Sequence, residues 1–136
     1  MDKNLQILGL AKKAGLLAIG GEAASEAARS SKTKLIISAS DASDRAFKNA
    51  RLSADAGGAI CMVVPYTMFE LGNIIGRGSP ATIAFLDTGL AVRFIEGLAE
   101  TDPEICGKVW KFLQQSANTR EEKINRTASG KTAKED

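Results

Sequence analysis

Short apolar runs alternate along this chain with longer segments in which apolar residues recur every three or four positions. The short runs have the composition of buried strands, whereas the longer segments have the period of amphipathic helices. The four predicted strands are Leu16–Ile19, Lys34–Ser38, Ala59–Val64 and Ala81–Leu86. Alternation of strands with helices indicates an α/β fold.

Start and stop residues delimit the helical segments. Thr67 and Glu70 have the spacing of a capping box, and Gly76 is placed to end the helix that they begin. The candidates for the other N-caps are Asp41 or Ser43, and Asp87 or Thr88. The remaining predicted helices are Leu5–Ala14, Glu22–Arg29 and Pro103–Ser116. From Ala117 onward almost no large apolar residue is present, and we expect a disordered tail.

Composition narrows the class of protein. The chain has 136 residues, of which 44% are hydrophobic and 25% are charged, which is ordinary for one globular domain. No apolar run approaches the roughly 20 residues that a membrane span needs, and the first ten residues lack the pattern of a signal peptide. We therefore expect a cytoplasmic protein that does not contact a membrane.

The chain contains no histidine and two cysteines, Cys61 and Cys106, which lie far apart in unrelated surroundings. Zinc sites and Cys-His catalytic sites are therefore excluded, and reduced core cysteines are favoured over a disulfide. Without histidine, general acid–base chemistry would depend on carboxylates or lysines alone. We predict no catalytic residue, no metal, no cofactor and no small-molecule substrate.

The charge of the chain is nearly balanced, with a formal net charge of +2. Net charge alone would not concentrate such a protein on phosphates, so any nucleic-acid surface must be a local patch. Small groups of basic residues are the candidates, among them Arg29 with Lys32 and Lys34. Each of them is also compatible with an ordinary solvated surface charge.

Two glycines, Gly20 and Gly21, stand between a predicted strand and a predicted helix. The first N–H groups of such a helix face outward with no bulky side chain before them, which is an anion-binding geometry. A tight turn that needs positive φ explains the glycines equally simply. The segment lacks both the P-loop pattern and the three-glycine dinucleotide pattern, so nucleotide hydrolysis is disfavoured.

A second loop of small residues, Gly76–Thr82, precedes the last strand and contains Arg77. Small residues let a loop approach a backbone or a base closely, and an arginine can contact phosphate or stack on a base. An ordinary connection between a helix and a strand is the other interpretation.

Three ordered segments carry a family resemblance: LGLAKKAGLLAIGGEAASEAARSSKTKLIISASDAS, then VPYTMFELGNIIG, then ATIAFLDTGLA. Over Leu5 to Leu98 they resemble the ribosomal-protein family whose archaeal and eukaryotic members bind kink-turn RNA, and most closely its bacterial YlxQ-like branch. The resemblance implies a three-layer α/β/α sandwich with a four-stranded mixed sheet, without enzymatic activity, that recognises RNA with one end of the fold. It places this domain at residues 1–99, an additional C-terminal helix at 100–116 and the tail at 117–136.

In that family the RNA surface combines the start of the second helix with the loop before the last strand. The family motif at the helix falls on Gly20, Glu22, Ala23 and Glu26, and only the glycine is kept, with Glu26 standing where the family has a lysine. The resemblance implies the following RNA-binding residues: Gly20, Gly21, Glu22, Ser25, Arg29, Lys32, Arg77, Gly78, Ser79, Pro80 and Ala81.

The sequence therefore predicts a protein that binds a structured RNA, ribosomal or containing a kink-turn, with the ribosome as a possible partner. A protein-interaction module on the same scaffold, with little RNA affinity, is the alternative. A phosphate or small-ligand site at Gly20 and Gly21 is a third. Trp110 lies in the C-terminal helix, whose apolar stripe can pack on the domain or meet a partner.

Overall fold

The computed structural model describes residues 3–76, 78–100, 103–104 and 106–114. The elements in chain order are α1 (Lys3–Lys13), β1 (Leu17–Ile19), α2 (Gly21–Arg29), β2 (Leu35–Ser38), α3 (Asp44–Gly57), β3 (Ile60–Val63), α4 (Met68–Ile75), β4 (Thr82–Phe85) and α5 (Thr88–Leu98). A sixth helix, α6, comprises residues 103–104 and 106–114. Arg77 and the segment predicted as a tail, 117–136, lie outside the described residues.

The four strands form one mixed sheet in the order β1-β4-β2-β3. β2 and β3 are parallel, and β4 runs antiparallel to both β1 and β2. The last residues of β1, β2 and β3 therefore lie at the same end of the sheet as the first residue of β4. We call this the carboxyl end of the sheet; Ile19 pairs there with Ile83, and Ser38 pairs with both Thr82 and Val63.

One face of the sheet is covered by α2 and α3 through a layer made almost entirely of alanine. Its buried residues are Ala24, Ala27, Ala28, Ile36, Ala50, Ala54, Ala59 and Ala84. Small side chains let the two helices approach the sheet and each other closely. At Gly57 the approach is so close that an added Cβ atom would collide with the carbonyl of Ala28.

The other face is covered by α1, α4 and α5 and holds the large apolar side chains. The rings of Phe85 and Phe94 pack with centroids 5.3 Å apart in this layer. Helix α6 belongs to the same core, because Cys106, Val109 and Leu113 are buried in it. The apolar stripe of the C-terminal helix thus packs on the domain.

This arrangement confirms the predicted three-layer sandwich with a four-stranded mixed sheet and an extra C-terminal helix. Thr67 and Glu70 form the predicted capping box, and Ser43, not Asp41, caps α3. Cys61 and Cys106 are not joined in a disulfide and pack on opposite faces of the sheet, which confirms the prediction of reduced cysteines; Cys106 is buried and Cys61 is half-buried. No helix among the described residues is long and apolar enough to cross a membrane.

Candidate functional site

The glycine turn lies at the carboxyl end of the sheet, where β1 passes into α2. Gly20 is the N-cap residue, with φ 100° and ψ 161°, a conformation that side chains strongly disfavour. Its carbonyl accepts a hydrogen bond from the Ala24 N–H at 2.9 Å. No side chain caps this helix, so its first N–H groups point outward without a side-chain acceptor.

Unlike Gly20, Gly21 is not required to be glycine by its backbone conformation or by packing. Its φ lies outside the left-handed region, and a Cβ atom added there would meet nothing within 4 Å. The need for positive φ therefore explains Gly20 but not Gly21, and the anion-binding interpretation of the pair stays a prediction. The turn requires Gly20, whereas Gly21 is exposed and has open space in front of its backbone.

One hydrogen bond joins the glycine turn to the first residue of β4, and a second joins the residue after β2 to the residue just before β4. The Gly20 N–H donates to the Thr82 carbonyl at 2.8 Å, and the Ala39 N–H donates to the Ala81 carbonyl at 2.9 Å. These bonds continue the sheet pairing by one residue beyond the strands. Two loops some sixty residues apart in sequence are thereby held side by side.

The loop before β4 folds back along α4 before it enters the sheet. Gly72 in α4 makes this possible, because an added Cβ atom would collide with the Gly78 carbonyl and lie 3.3 Å from the Ser79 Cα. Gly78 has φ +61° and, like Ser79, is exposed, whereas Pro80 and Ala81 are half-buried. The loop thus presents small residues from a braced backbone.

A third loop completes this end of the molecule, and the sequence analysis assigned it no binding role. Asp41, between β2 and α3, accepts a hydrogen bond from the Met68 N–H at 2.8 Å and so ties that loop to the start of α4. Ser43 caps α3 and Thr67 caps α4 through their side chains. Of the three helices that directly follow β1, β2 and β3, α2 is the one with no side-chain cap.

Three of the predicted RNA-binding residues lie away from this end, along or beyond α2. The Ser25 hydroxyl is 2.7 Å from the Ser53 hydroxyl of α3. Arg29 lies eight residues after Gly21, about 12 Å along the helix axis, and Lys32 follows the end of the helix. The structure therefore places Gly20, Gly21 and Glu22 at the carboxyl end of the sheet, Ser25 and Arg29 farther along one groove beside α2, and Lys32 beyond the end of the helix.

Arg29 is engaged within its own helix. Its guanidinium lies 2.8 Å from the Glu26 carboxylate, and both side chains are exposed. The hydrogen bond from Arg29, with a second from Ser30, lowers the pKa of Glu26 below its usual value. The pair neutralises both charges locally, which leaves α2 with neither a free cation nor an isolated anion at its last turn.

A groove of about 610 Å³ runs between α2 and α3 from the glycine turn toward Arg29. It is lined by Gly21, Glu22, Ser25, Arg29, Ala46, Asn49, Ala50, Leu52 and Ser53. The lining mixes polar and apolar groups and is open to solvent. Within the described ranges no cluster of side chains could hold a metal ion.

One exposed aromatic residue at this end was missed by the sequence analysis. Phe69, in the first turn of α4, has a side chain that is 69% exposed. It lies off the buried side of the helix, which is formed by Leu71, Gly72 and Ile75. A phenylalanine that falls outside the apolar stripe of its helix is the signal that could have identified it.

Comparisons with known proteins reveal likeness in structure. The chain matches no family model and no curated protein. A solved structure of a protein of unknown function from Bacillus halodurans has a TM-score of 0.65 at 27% identity, covering 71% of this chain and 97% of that one. The Giardia lamblia 15.5kD RNA binding protein has a TM-score of 0.56 at 18% identity, covering 79% of this chain and 85% of that one. These similarities support the fold described above.

Proposed function

We propose that this chain is a non-catalytic, cytoplasmic RNA-binding protein that recognises a structured RNA with the carboxyl end of its sheet. The observation that carries the proposal is Gly21, an exposed glycine that neither backbone conformation nor packing requires. It stands at the uncapped start of α2, where an unobstructed backbone favours the approach of a phosphate. The Giardia protein, which shares this fold, is an RNA-binding protein.

In this proposal the glycine turn and the loop before β4 contact different parts of the RNA. The free N–H groups at the start of α2 attract a phosphate of the RNA backbone, and the Glu22 carboxylate accepts a hydrogen bond from a guanine edge. The small residues of the loop before β4 allow unpaired bases to lie close to the protein backbone. Arg77, adjacent to Gly78 in sequence, would add a phosphate contact or a stacking surface.

A kink-turn, ribosomal or in another RNA, is the specific target that we propose. Support comes from the order of motifs shared with the kink-turn-binding family and from the joining of the two loops that the family uses. Glu26, which replaces a family lysine, would repel phosphate if it were isolated. Its ion pair with Arg29 compensates this charge, so the departure from the family pattern is compatible with RNA binding.

The test is a binding titration against a kink-turn RNA and a control RNA that lacks its sheared G·A pairs, each at two salt concentrations. We expect preference for the kink-turn and weaker binding at the higher salt concentration. Gly21→Val should abolish the preference without unfolding the protein, because the space around the added side chain is open. Ala56→Val, an exposed change in the last turn of α3 at the other end, should leave binding unchanged.

Equal affinity for the two RNAs would contradict kink-turn recognition. Equal binding by wild type and Gly21→Val would contradict the role of the glycine turn.

A protein-interaction module with little RNA affinity is the second candidate. The Arg29–Glu26 ion pair favours it, because it removes a cation that phosphate contact would use, in a chain whose net charge is only +2. Salt dependence distinguishes the two candidates. Affinity for RNA falls steeply as salt rises, whereas an apolar protein interface is nearly indifferent to salt.

A further inference from the structure

Phe69 is the most exposed of the five phenylalanines in the chain. Phe85 and Phe94 are buried in the core, and Phe47 and Phe112 are half-buried. The 69% exposure of Phe69 is therefore exceptional for its residue type here, and the ring contributes little to the packing of the domain. Packing in the core therefore does not explain why a phenylalanine stands at this position.

The backbone that carries Phe69 is held rigidly. Thr67 caps the helix, the Glu70 carboxylate bonds back to the Thr67 N–H at 2.9 Å, and Asp41 accepts from the Met68 N–H. Side-chain acceptors thus hold the backbone N–H groups of Thr67, Met68 and Glu70, which flank Phe69 in sequence. An aromatic ring displayed from such a braced turn loses little conformational freedom when it binds a partner.

The ring lies at the end of the molecule where RNA is proposed to bind. α4 starts shortly after β3 leaves the sheet, and the Cα–Cβ bonds of a helix tilt toward its N-terminus, which here is the carboxyl end of the sheet. Residues three apart share one face of a helix, so Phe69 neighbours Gly72, against which Gly78 and Ser79 pack. Phe69 therefore stands one helical turn before the residue against which the loop before β4 packs.

We infer that Phe69 is a stacking platform for an unpaired base of the bound RNA, beside the nucleotides held by the loop before β4. The inference rests on the proposed function and extends it to a residue outside the two loops. RNA is favoured over a protein as the occupant because the ring is carried by α4, against which the loop before β4 packs. The net charge of the chain is only +2, so electrostatic attraction to RNA is weak. Stacking of a base on an aromatic ring adds affinity that does not depend on charge.

The experiment uses the full chain and a kink-turn RNA whose unpaired nucleotides are replaced in turn by 2-aminopurine, a fluorescent base that reports stacking. With Phe69→Ala we expect affinity to fall about tenfold and the binding-induced fluorescence change to disappear at one nucleotide. Phe69→Trp should retain affinity, whereas Phe69→Leu should lose it, because the leucine keeps apolar area without a π-face. The loss should be the same at two salt concentrations, since no counterion is involved.

Leu10→Ala is the matched control. Leu10 is 64% exposed near the end of α1, away from the carboxyl end of the sheet, and its truncation should change neither affinity nor fluorescence. Unchanged urea midpoints for all the variants would separate the binding effect from unfolding. If the wild type binds the kink-turn RNA and Phe69→Ala binds it equally well, the stacking role is overturned while the proposed function stands. If the wild type fails to bind RNA, both are overturned.

Discussion

At the scale of single residues, the alanine layer beneath α2 and α3 includes a close contact between the backbones of the two helices. Gly57, the last residue of α3, faces the carbonyl of Ala28 near the end of α2, where an added methyl group would collide with it. A surrounding layer of alanines leaves few flexible side chains that could move to relieve such a collision. This position therefore tolerates glycine alone.

Gly57→Ala should lower the free energy of unfolding by about 1–3 kcal/mol, because α2 and α3 must separate to admit the methyl group. Gly107→Ala is its control, since Gly107 lies in α6 and an added Cβ atom there meets nothing within 4 Å. That substitution should raise the free energy of unfolding by about 0.5–1 kcal/mol through its better helix propensity. Urea denaturation measures both, and equal effects of one sign would contradict this account.

Cys61 predicts a dependence of stability on alkaline pH. Burial, with a smaller contribution from Asp55, raises the pKa of its thiol from 9.0 to about 11. The folded protein therefore retains the thiol proton at a pH where the unfolded chain has lost it. This contribution to stability is complete below pH 9.0 and is lost as the pH rises toward about 11.

Denaturation midpoints at neutral pH and within that alkaline window test this prediction. The wild type should lose more stability between the two conditions than Cys61→Ala does, because the variant has no thiol to ionise. All other ionisable groups are the same in the two proteins, so the difference between them isolates the thiol. An identical loss in both proteins would show that Cys61 contributes nothing to it.

At the scale of elements, the structure decides which candidate residue caps which helix. Asp87 caps α5 by accepting from the Leu90 N–H at 2.9 Å, so Thr88 is not needed as a cap. Asp41, a candidate for α3, instead bonds to the start of α4, 27 residues later in the chain. Sequence spacing identifies groups able to cap, whereas the tertiary fold determines the N–H group that each one meets.

Thr67→Ala should destabilise the protein by about 1 kcal/mol, because the capping box at α4 loses its hydroxyl acceptor. Thr88→Ala serves as the matched control, since Thr88 also stands at a helix start but Asp87 supplies the cap. We expect its effect on thermal unfolding to be close to zero. Comparable losses for the two threonines would argue against the capping assignment.

At the scale of the whole molecule, α6 is joined to the same core as the rest of the fold. The family resemblance ends at Leu98, which predicts that the helix after it is an addition to a domain spanning residues 1–99. Val109 and Leu113 nevertheless lie in one continuous cluster with Leu8 and Phe94. Which part of the chain folds on its own stays a prediction, and it depends on how much stability α6 contributes.

Leu113→Ala measures that contribution. Leu113 is fully buried, so truncation should cost about 2–5 kcal/mol if α6 is an integral part of the core. Leu10→Ala, on an exposed leucine of α1, should cost close to nothing. A small effect at Leu113 would instead support a domain that is stable without its C-terminal helix.

Across these scales, the sequence predicted the helices, strands and caps well. It predicted less well which residues lie close together in space. The strands, the Thr67 capping box and the helix end at Gly76 follow from short-range patterns, and the structure bears them out. The two candidate loops could also be identified from the sequence, because both are rich in small residues. Phe69 was missed because its exposure depends on the side of α4 that faces the sheet.

The sequence by itself determined the α/β class, the positions of the strands and helices, and the near-neutral charge, because periodicity, turn chemistry and composition are local properties. Only the tertiary structure decided that the glycine turn is hydrogen-bonded to the first residue of β4 and that Arg29 is paired with Glu26. It also separated Gly20, which the turn requires, from Gly21, which it does not. The physical reason is that strand order and side-chain partners are set by packing between distant segments, which a local pattern does not encode.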